Sequence, residues 1–119
     1  MPVKYITYKG KKILFVDFSN MNGDQAIATL DEEAREMQNW KEKGLVLNVF
    51  YGAKATSAFM AHAKKLGKEI FIRTIHKSAA VGLTGLQMVL LQAYNTFSQD
   101  KLTPFKTEEE AKEWLIKED

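Results

Sequence analysis

The stretch SAAVGLTGLQMVLLQAYNTF, residues 78–97, decides the fold because it passes from strand-like to helical sequence across one short turn. Its first six residues are typical of a buried strand, and the apolar residues after Gly85 recur at helical spacing. Thr84 and Gln87 form a capping pattern at the start of that helix. The turn Gly82-Leu83-Thr84-Gly85 has two interpretations, close packing of a helix against a strand or phosphate binding. Packing is favoured, because no longer glycine-rich phosphate motif is present.

The same alternation of strand and helix extends over the whole chain. Lys68–Lys77 fits a strand and a helix equally well. Elsewhere, strands are predicted over residues 4–8, 12–18, 45–51, 78–83 and 102–105, and helices are predicted to begin near Asn22, Thr56 or Ser57, Gly85 and Thr107.

This order of elements predicts an α/β fold. The first two strands form a hairpin, and every later strand is followed by a helix, which requires right-handed crossovers between parallel strands. We therefore predict one domain over residues 1–119. It should contain a mixed, mostly parallel sheet of four or five strands with an N-terminal β-hairpin, covered by about four helices.

The composition excludes several kinds of chemistry. The chain has no cysteine, so thiol nucleophiles, disulfides and thiolate metal sites are excluded. Acidic residues such as Asp31, Glu32 and Glu33 lie on helix faces predicted to be solvated, which argues against a metal site. His62 and His76 are expected at or near the surface, outside any catalytic set. We expect no metal and no other cofactor.

Charge and hydropathy predict a soluble, cytoplasmic domain. No apolar run is long enough to cross a bilayer, and the first residues lack the features of a secretory signal. The net charge is +2, and the lysine-rich middle of the chain has few of the interleaved aromatic residues that nucleic-acid-binding surfaces use. We therefore expect neither nucleic-acid binding nor membrane insertion.

Four segments of the chain resemble a known group of proteins. ILFVDFSNMNG, LVLNVFYGAKATSAF, SAAVGLTGLQ and PFKTEEEAKEWL are similar to segments of small bacterial proteins of the STAS-like superfamily, relatives of anti-sigma-factor antagonists. The similarity covers nearly the whole chain, and AVGLTGL and the F-x-T-x-x-E-A-x-x-W-L ending are its most specific parts. It implies a mixed sheet of four or five strands with helices packed over it. It implies no defined activity.

The resemblance also implies a regulatory site. In the better understood antagonists, a serine at a helix N-terminus is phosphorylated, and this breaks partner binding. The matching stretch places Asn48 at the polar position of the strand and Ser57, or Thr56, at the phosphorylated position. The aspartate before that serine and the glycine after it are absent here. A helix cap is the alternative role for these hydroxyl side chains.

Polar residues follow several of the predicted strands. Ligands of open α/β sheets collect beyond the carboxyl ends of parallel strands, so these residues define a candidate ligand or partner edge. An Asx turn is the alternative for the part from Asp17 to Asn20. The candidate edge consists of Asp17, Ser19, Asn20, Asn48, Tyr51, Thr84 and Gly85.

The helix after Gly85 is apolar almost all round. One stripe contains Leu86, Val89, Leu90, Ala93 and Phe97, and a second contains Met88, Leu91 and Tyr94. Such a helix is either buried inside the domain or covered by a partner. The second stripe is the predicted partner surface, for another protein or for a second copy in a homodimer.

These observations favour a non-catalytic regulatory or protein-interaction domain of the STAS-like type. The alternative function is a carrier of a small apolar ligand or lipid, which requires an apolar cavity of several hundred Å³. An enzyme is the least favoured class, because the sequence contains no recognisable set of nucleophile, base and orienting group.

Overall fold

The N-terminal hairpin forms around a two-residue turn in left-handed backbone. Its strands are β1 (Val3–Tyr8) and β2 (Lys11–Asp17), and they pair antiparallel. Lys9 and Gly10 between them have φ of 48° and 83°. Positive φ at both central residues matches the right-handed twist of the flanking strands. This description, like all that follows, comes from a computed structural model that describes residues 2–54, 56–97 and 101–118.

A single sheet of five strands contains this hairpin, in the order β1-β2-β3-β4-β5. The pairs β2–β3, β3–β4 and β4–β5 are all parallel. The predicted α/β architecture is therefore confirmed. The later strands are β3 (Gly44–Val49), β4 (Ile75–Val81) and β5 (Thr103–Phe105), and the helices are α1 (Gly23–Met37), α2 (Ser57–Leu66), α3 (Ile72–Thr74), α4 (Leu86–Phe97) and α5 (Glu108–Ile116).

The ambiguous segment Lys68–Lys77 contains both a helix and a strand. A π-helical turn, Gly67–Phe71, joins α2 to the short α3, so the helical rod continues to Thr74. Thr74 Oγ1 donates a hydrogen bond to the carbonyl of Ile70 at 2.9 Å, which satisfies its buried hydroxyl within the rod. Strand β4 then begins three residues before the predicted start, because Ile75 pairs with Gly44 of β3.

The two faces of the sheet bury different side chains. On one face, Leu14, Val16 and Val46 pack in a cluster with residues of α1, of α2 and of the π-helical turn that follows α2. On the other face, strand residues pack against Ala111 and Leu115 of α5. Helix α4 lies on the first face, because it lines a cavity together with residues of α1, α2 and that face of the sheet.

Capping side chains begin the helices where the sequence indicates. Asn22 Oδ1 accepts from the N–H of Gln25 at 2.9 Å, and Gln25 Oε1 accepts from the N–H of Asn22 at 3.0 Å. Thr107 Oγ1 accepts from the N–H of Glu110 at 3.1 Å. Each bond satisfies a backbone donor that has no partner inside its helix, so the starts of α1 and α5 are encoded locally.

The N-terminal hairpin is held against α5 by an exposed polar cluster. The Tyr8 hydroxyl donates to Glu113 Oε1 at 2.7 Å and to Glu109 Oε2 at 3.1 Å, and Lys9 Nζ forms an ion pair with Glu113. The pKa of Tyr8 is raised above its ordinary value, mainly by the hydrogen bond to Glu113. Loss of hydration and the hydrogen bond to Glu109 raise it further. The bonds from Lys9 and Tyr8 lower the pKa of Glu113.

We predict that Tyr8 ionises at a higher pH than an exposed tyrosine in the folded protein. An absorbance titration of phenolate should show a high-pH component that is absent from Tyr8→Phe. Because folding raises this pKa, the contribution of the phenol to stability is present below the unfolded pKa of about 10 and is lost as pH rises through the folded value. A Tyr8→Phe titration that instead loses its phenolate absorbance in the ordinary range, at about pH 10, would contradict the described contact.

Candidate functional site

Backbone hydrogen bonds continue the sheet past the carboxyl ends of its strands. The N–H of Phe18 donates to the carbonyl of Val49 at 2.7 Å, and the N–H of Phe50 donates to the carbonyl of Val81 at 2.9 Å. The N–H of Asn20 donates to the carbonyl of Tyr51 at 2.8 Å. These donors are already satisfied within the protein, so they do not form a cradle for an anion.

The residues after β2 form a closed turn. Asp17 Oδ1 accepts from the N–H of Ser19 at 2.9 Å, which is the Asx geometry that the sequence offers as an alternative to a ligand site. Asn20 has φ of 59° and packs against Gly52, where an added Cβ would lie 2.3 Å from Asn20 Oδ1. The structure thus brings Asp17, Ser19 and Asn20 together at the sheet edge, where Asp17 and Ser19 close the turn and Asn20 contacts the loop after β3.

Gly82 is required for close packing. Its φ is +83°, and an added Cβ would lie 2.8 Å from both the backbone nitrogen and Cδ1 of Tyr51. The contact is made with the loop after β3, so close packing at Gly82 is observed, but the predicted packing against the following helix is wrong. Gly85 has φ of +51° but has no heavy atom within 4 Å of an added Cβ.

The loop before α4 is tied down by Gln87. Its Oε1 accepts from the N–H of Thr84 at 3.1 Å, and its Nε2 donates to the carbonyl of Ala53. One side chain therefore caps the start of α4 and connects it to the loop after β3. Thr84 and Gly85 remain exposed, and Tyr51 is 45% exposed, so these three candidate edge residues do lie on the surface.

Asn48 does not belong to the edge, and that part of the prediction is wrong. It lies inside β3 on the face that carries Val46, and it is buried. Its Nδ2 donates to Ser78 Oγ at 3.0 Å and to the carbonyl of Ala79 at 3.1 Å. The period of two in a strand, which the sequence shows, places residues 46 and 48 on one face, but only the sheet order puts Ser78 beside Asn48.

The two candidates for phosphorylation occupy different positions at the start of α2. Thr56 is the N-cap, half-buried, and its Oγ1 accepts from the N–H of Phe59 at 3.0 Å. Ser57 is the first helical residue and is exposed. The cap that the sequence offers as an alternative role is therefore formed by Thr56, while Ser57 has its side chain at the surface.

Helix α4 presents a different face from the predicted one. Leu91 and Tyr94 are buried and Met88 is half-buried, so two of the three predicted partner residues are not on the surface. Leu86 and Val89 are 69% and 60% exposed. Because this helix is apolar almost all round, its periodicity does not indicate which stripe contacts the sheet.

An apolar cavity of about 110 Å³ lies beneath α4 and is partly open to solvent. Phe18, Phe50 and Phe59 form much of its wall. The rings of Phe18 and Phe50 stack with centroids 4.8 Å apart, and Phe59 contacts Phe18 edge-on at 5.6 Å. The volume is below the several hundred Å³ expected for a lipid carrier.

Three buried polar residues also line this cavity, Glu33, Asn48 and Ser78. Glu33 is 3% exposed, which corrects its predicted place on the solvated face of the first helix. The spacing of Ala26, Leu30, Glu33 and Met37 contains the missed signal, because positions separated by four, three and four residues share one helix face.

The two histidines are located as the sequence suggests. His62 Nε2 lies 2.6 Å from Asp31 Oδ1 and links α2 to α1, while His76 is exposed. Within residues 2–54, 56–97 and 101–118, no three histidine, aspartate or glutamate side chains come together as a metal site. Over the same residues, no helix has both the length and the hydropathy needed to span a membrane.

Comparison with known proteins supports the fold. No family model matches the chain, and no curated protein does. A crystal structure of an uncharacterized protein of the DUF3478 family from Shewanella loihica PV-4, which has a SpoIIAA-like fold, superposes with a TM-score of 0.70. The match covers 96% of this chain and 92% of that chain at 14% identity. This chain has the SpoIIAA-like, or STAS-like, fold. The expectation from the sequence resemblance is therefore confirmed for the fold, and identity this low establishes nothing more.

Substitution of the two turn glycines should separate packing from backbone strain. Both Gly82→Ala and Gly85→Ala place an L-residue at positive φ, which costs about 1 kcal/mol. We predict that Gly82→Ala lowers the free energy of unfolding by about a further 1–3 kcal/mol, because its Cβ overlaps Tyr51. Urea denaturation of both variants measures the difference. If both variants lose the same free energy of unfolding, close packing at Gly82 does not contribute to stability.

Proposed function

We propose that this protein is a non-catalytic regulatory domain that binds another protein chain through α4 and the adjoining edge of the sheet. The observation that carries the proposal is the exposure of Leu86 and Val89 on the outer face of α4. Large apolar side chains that remain in water at adjacent helical positions are typical of an interaction surface. Thr84 and Gly85, also exposed, extend this surface toward the strand ends.

The chemistry of α4 favours a second copy of this chain as the partner. Its sequence from Leu86 to Phe97 contains no charged residue, so two copies can approach without like-charge repulsion. Leu86, Val89 and Ala93 recur at spacings of three and four on the exposed face, and the small Ala93 permits close helix contact. A two-fold axis would pair this face with itself.

A non-catalytic role is supported by the way in which the strand-end groups are used. The carboxylate of Asp17 accepts a hydrogen bond from its own turn, and the backbone donors of Phe18, Asn20 and Phe50 bind neighbouring carbonyls. The edge therefore offers few groups for stabilising a reacting molecule, although its exposed surface remains available for contact with a protein.

We predict a concentration-dependent dimer that depends on α4. Sedimentation of the wild-type protein should show self-association, and Leu86→Gln/Val89→Gln should raise the dimer dissociation constant at least about 100-fold. Burial of each such side chain contributes about 1.5–3 kcal/mol, and each copy loses two of them.

Ile72→Gln provides the matched control, because Ile72 is an exposed apolar residue on α3, at 38%. It should leave the dissociation constant unchanged. A wild-type protein that stays monomeric at all concentrations would refute self-association and leave the α4 face to a different protein. A dimer that both variants retain would refute the role of α4.

Regulation by phosphorylation is proposed at Ser57. Its side chain is exposed at the first residue of α2, where a phosphate would lie close to the positive end of the helix dipole. Thr56 is the poorer site, because its hydroxyl oxygen already accepts the capping bond from Phe59.

Mass spectrometry of the protein isolated from its own cells tests this proposal. We predict a phosphate increment that survives denaturation, maps to Ser57 and disappears in Ser57→Ala while persisting in Thr56→Ser. An unmodified protein under all growth conditions would contradict the regulatory site. An increment that is lost on denaturation would instead be a bound ligand.

The cavity favours a second candidate function, the binding of a small apolar molecule. Its wall is formed mainly by aromatic and aliphatic side chains from α1, α2, α4 and the sheet. Its volume of about 110 Å³ restricts this function to compact molecules or to the end of a longer one. The two functions are compatible, because α4 has one face over the cavity and the other in solvent.

A further inference from the structure

The cavity beneath α4 has a polar wall built from three different elements. Glu33 comes from α1, Asn48 from β3 and Ser78 from β4, and all three are buried. The rest of the lining is largely apolar, including Phe18 and Leu91. Polar groups that converge from separate elements on an apolar pocket are the usual arrangement of a site that orients a small ligand.

The hydrogen bonds of Asn48 define what its side chain can still do. Its amide nitrogen donates both to Ser78 Oγ and to the carbonyl of Ala79. A carbonyl only accepts, so the atom facing Ala79 must be the nitrogen, and both amide hydrogens are used. Asn48 lines the cavity, and the group of its side chain that these two bonds leave available is the carbonyl oxygen, an acceptor.

Glu33 contributes further acceptor capacity. A carboxyl group accepts hydrogen bonds whether or not it is protonated, and its two oxygens can accept more than one, so Glu33 can accept a bond from a ligand beside its interaction within the protein. The cavity thus combines a largely apolar body with a few buried polar groups, and a ligand that carries a charge would lose its hydration on entering it, which is unfavourable.

We propose that this cavity binds a compact, neutral, apolar molecule that carries one hydrogen-bond donor, a hydroxyl or an N–H, and that Glu33 accepts this bond. The proposal rests on the second candidate function and specifies its ligand class. Size sets the upper limit, since an apolar cavity of about 150 Å³ accepts benzene. Here the cavity is smaller, at about 110 Å³, but it opens to solvent, so a single six-membered ring that extends partly into the opening is the largest body expected.

Phenol, toluene and benzoate form a matched set of probes. Phenol and toluene differ by a hydroxyl in place of a methyl group, and benzoate adds a negative charge. In NMR titrations of the ¹⁵N-labelled full chain, we expect phenol to bind at least about tenfold more tightly than toluene and benzoate not to bind. Toluene is the more hydrophobic probe, so a purely apolar site would give the opposite order.

Two variants assign this preference to the site. Glu33→Leu should remove the preference for phenol and bind toluene at least as tightly, because the acceptor is replaced by an apolar side chain. Ala63→Leu, which adds volume at the cavity wall, should weaken phenol and toluene together. The amide spectra report whether each variant is folded. If Glu33→Leu is unfolded, the ratio of the phenol and toluene affinities of the wild-type protein tests the donor preference.

Each outcome has a distinct meaning. Toluene binding that equals or exceeds phenol binding in the wild type would overturn the donor preference and leave apolar ligand binding intact. A preference that survives in Glu33→Leu would overturn the role of Glu33. Failure of all three probes to bind would overturn both this proposal and the second candidate function.

Discussion

The order of the parallel strands is the constraint on which the rest of the structure depends. Strands β2, β3, β4 and β5 lie side by side in the order in which they occur in the chain. A right-handed crossover between each neighbouring pair must then pass over the same face of the sheet. Helices α1, α2 and α4 are consequently layered on one side, and α5, after the last strand, packs on the other.

This one-sided arrangement explains the two features of α4. It is the last of three helices across the face, and the strand that follows it, β5, has three residues. Its inner face, with Leu91 and Tyr94, packs toward the sheet without filling the space beside α1 and α2, so a cavity remains. Within the part of the chain that the structure describes, no further helix covers its outer face, and Leu86 and Val89 remain in solvent.

Buried polar groups on this face are satisfied in two different ways. Thr29 and Thr74 donate to carbonyls one turn earlier in their own helices, at 3.0 and 2.9 Å, so their burial requires nothing from other elements. Asn48 instead reaches across the sheet to β4. Polar groups of the second kind are satisfied only where distant parts of the chain meet.

The local features of this fold were determined by the sequence itself. Contacts within a few residues determine the hairpin turn, the caps at Asn22 and Thr107 and the alternation of strands and helices. The structure has these features where the sequence indicates. The STAS-like fold followed from that alternation together with the resemblance of four segments.

Tertiary structure alone decided which faces and atoms meet. Long-range packing determines which apolar stripe of α4 is buried and why Glu33 is buried. It also places Asn48 inside the sheet instead of at the strand-end edge, and it ends the helical segment at Thr74. A helix that is apolar all round has no preferred phase until a sheet lies beneath it. The site therefore arises from the order of the strands, which no local pattern of residues encodes.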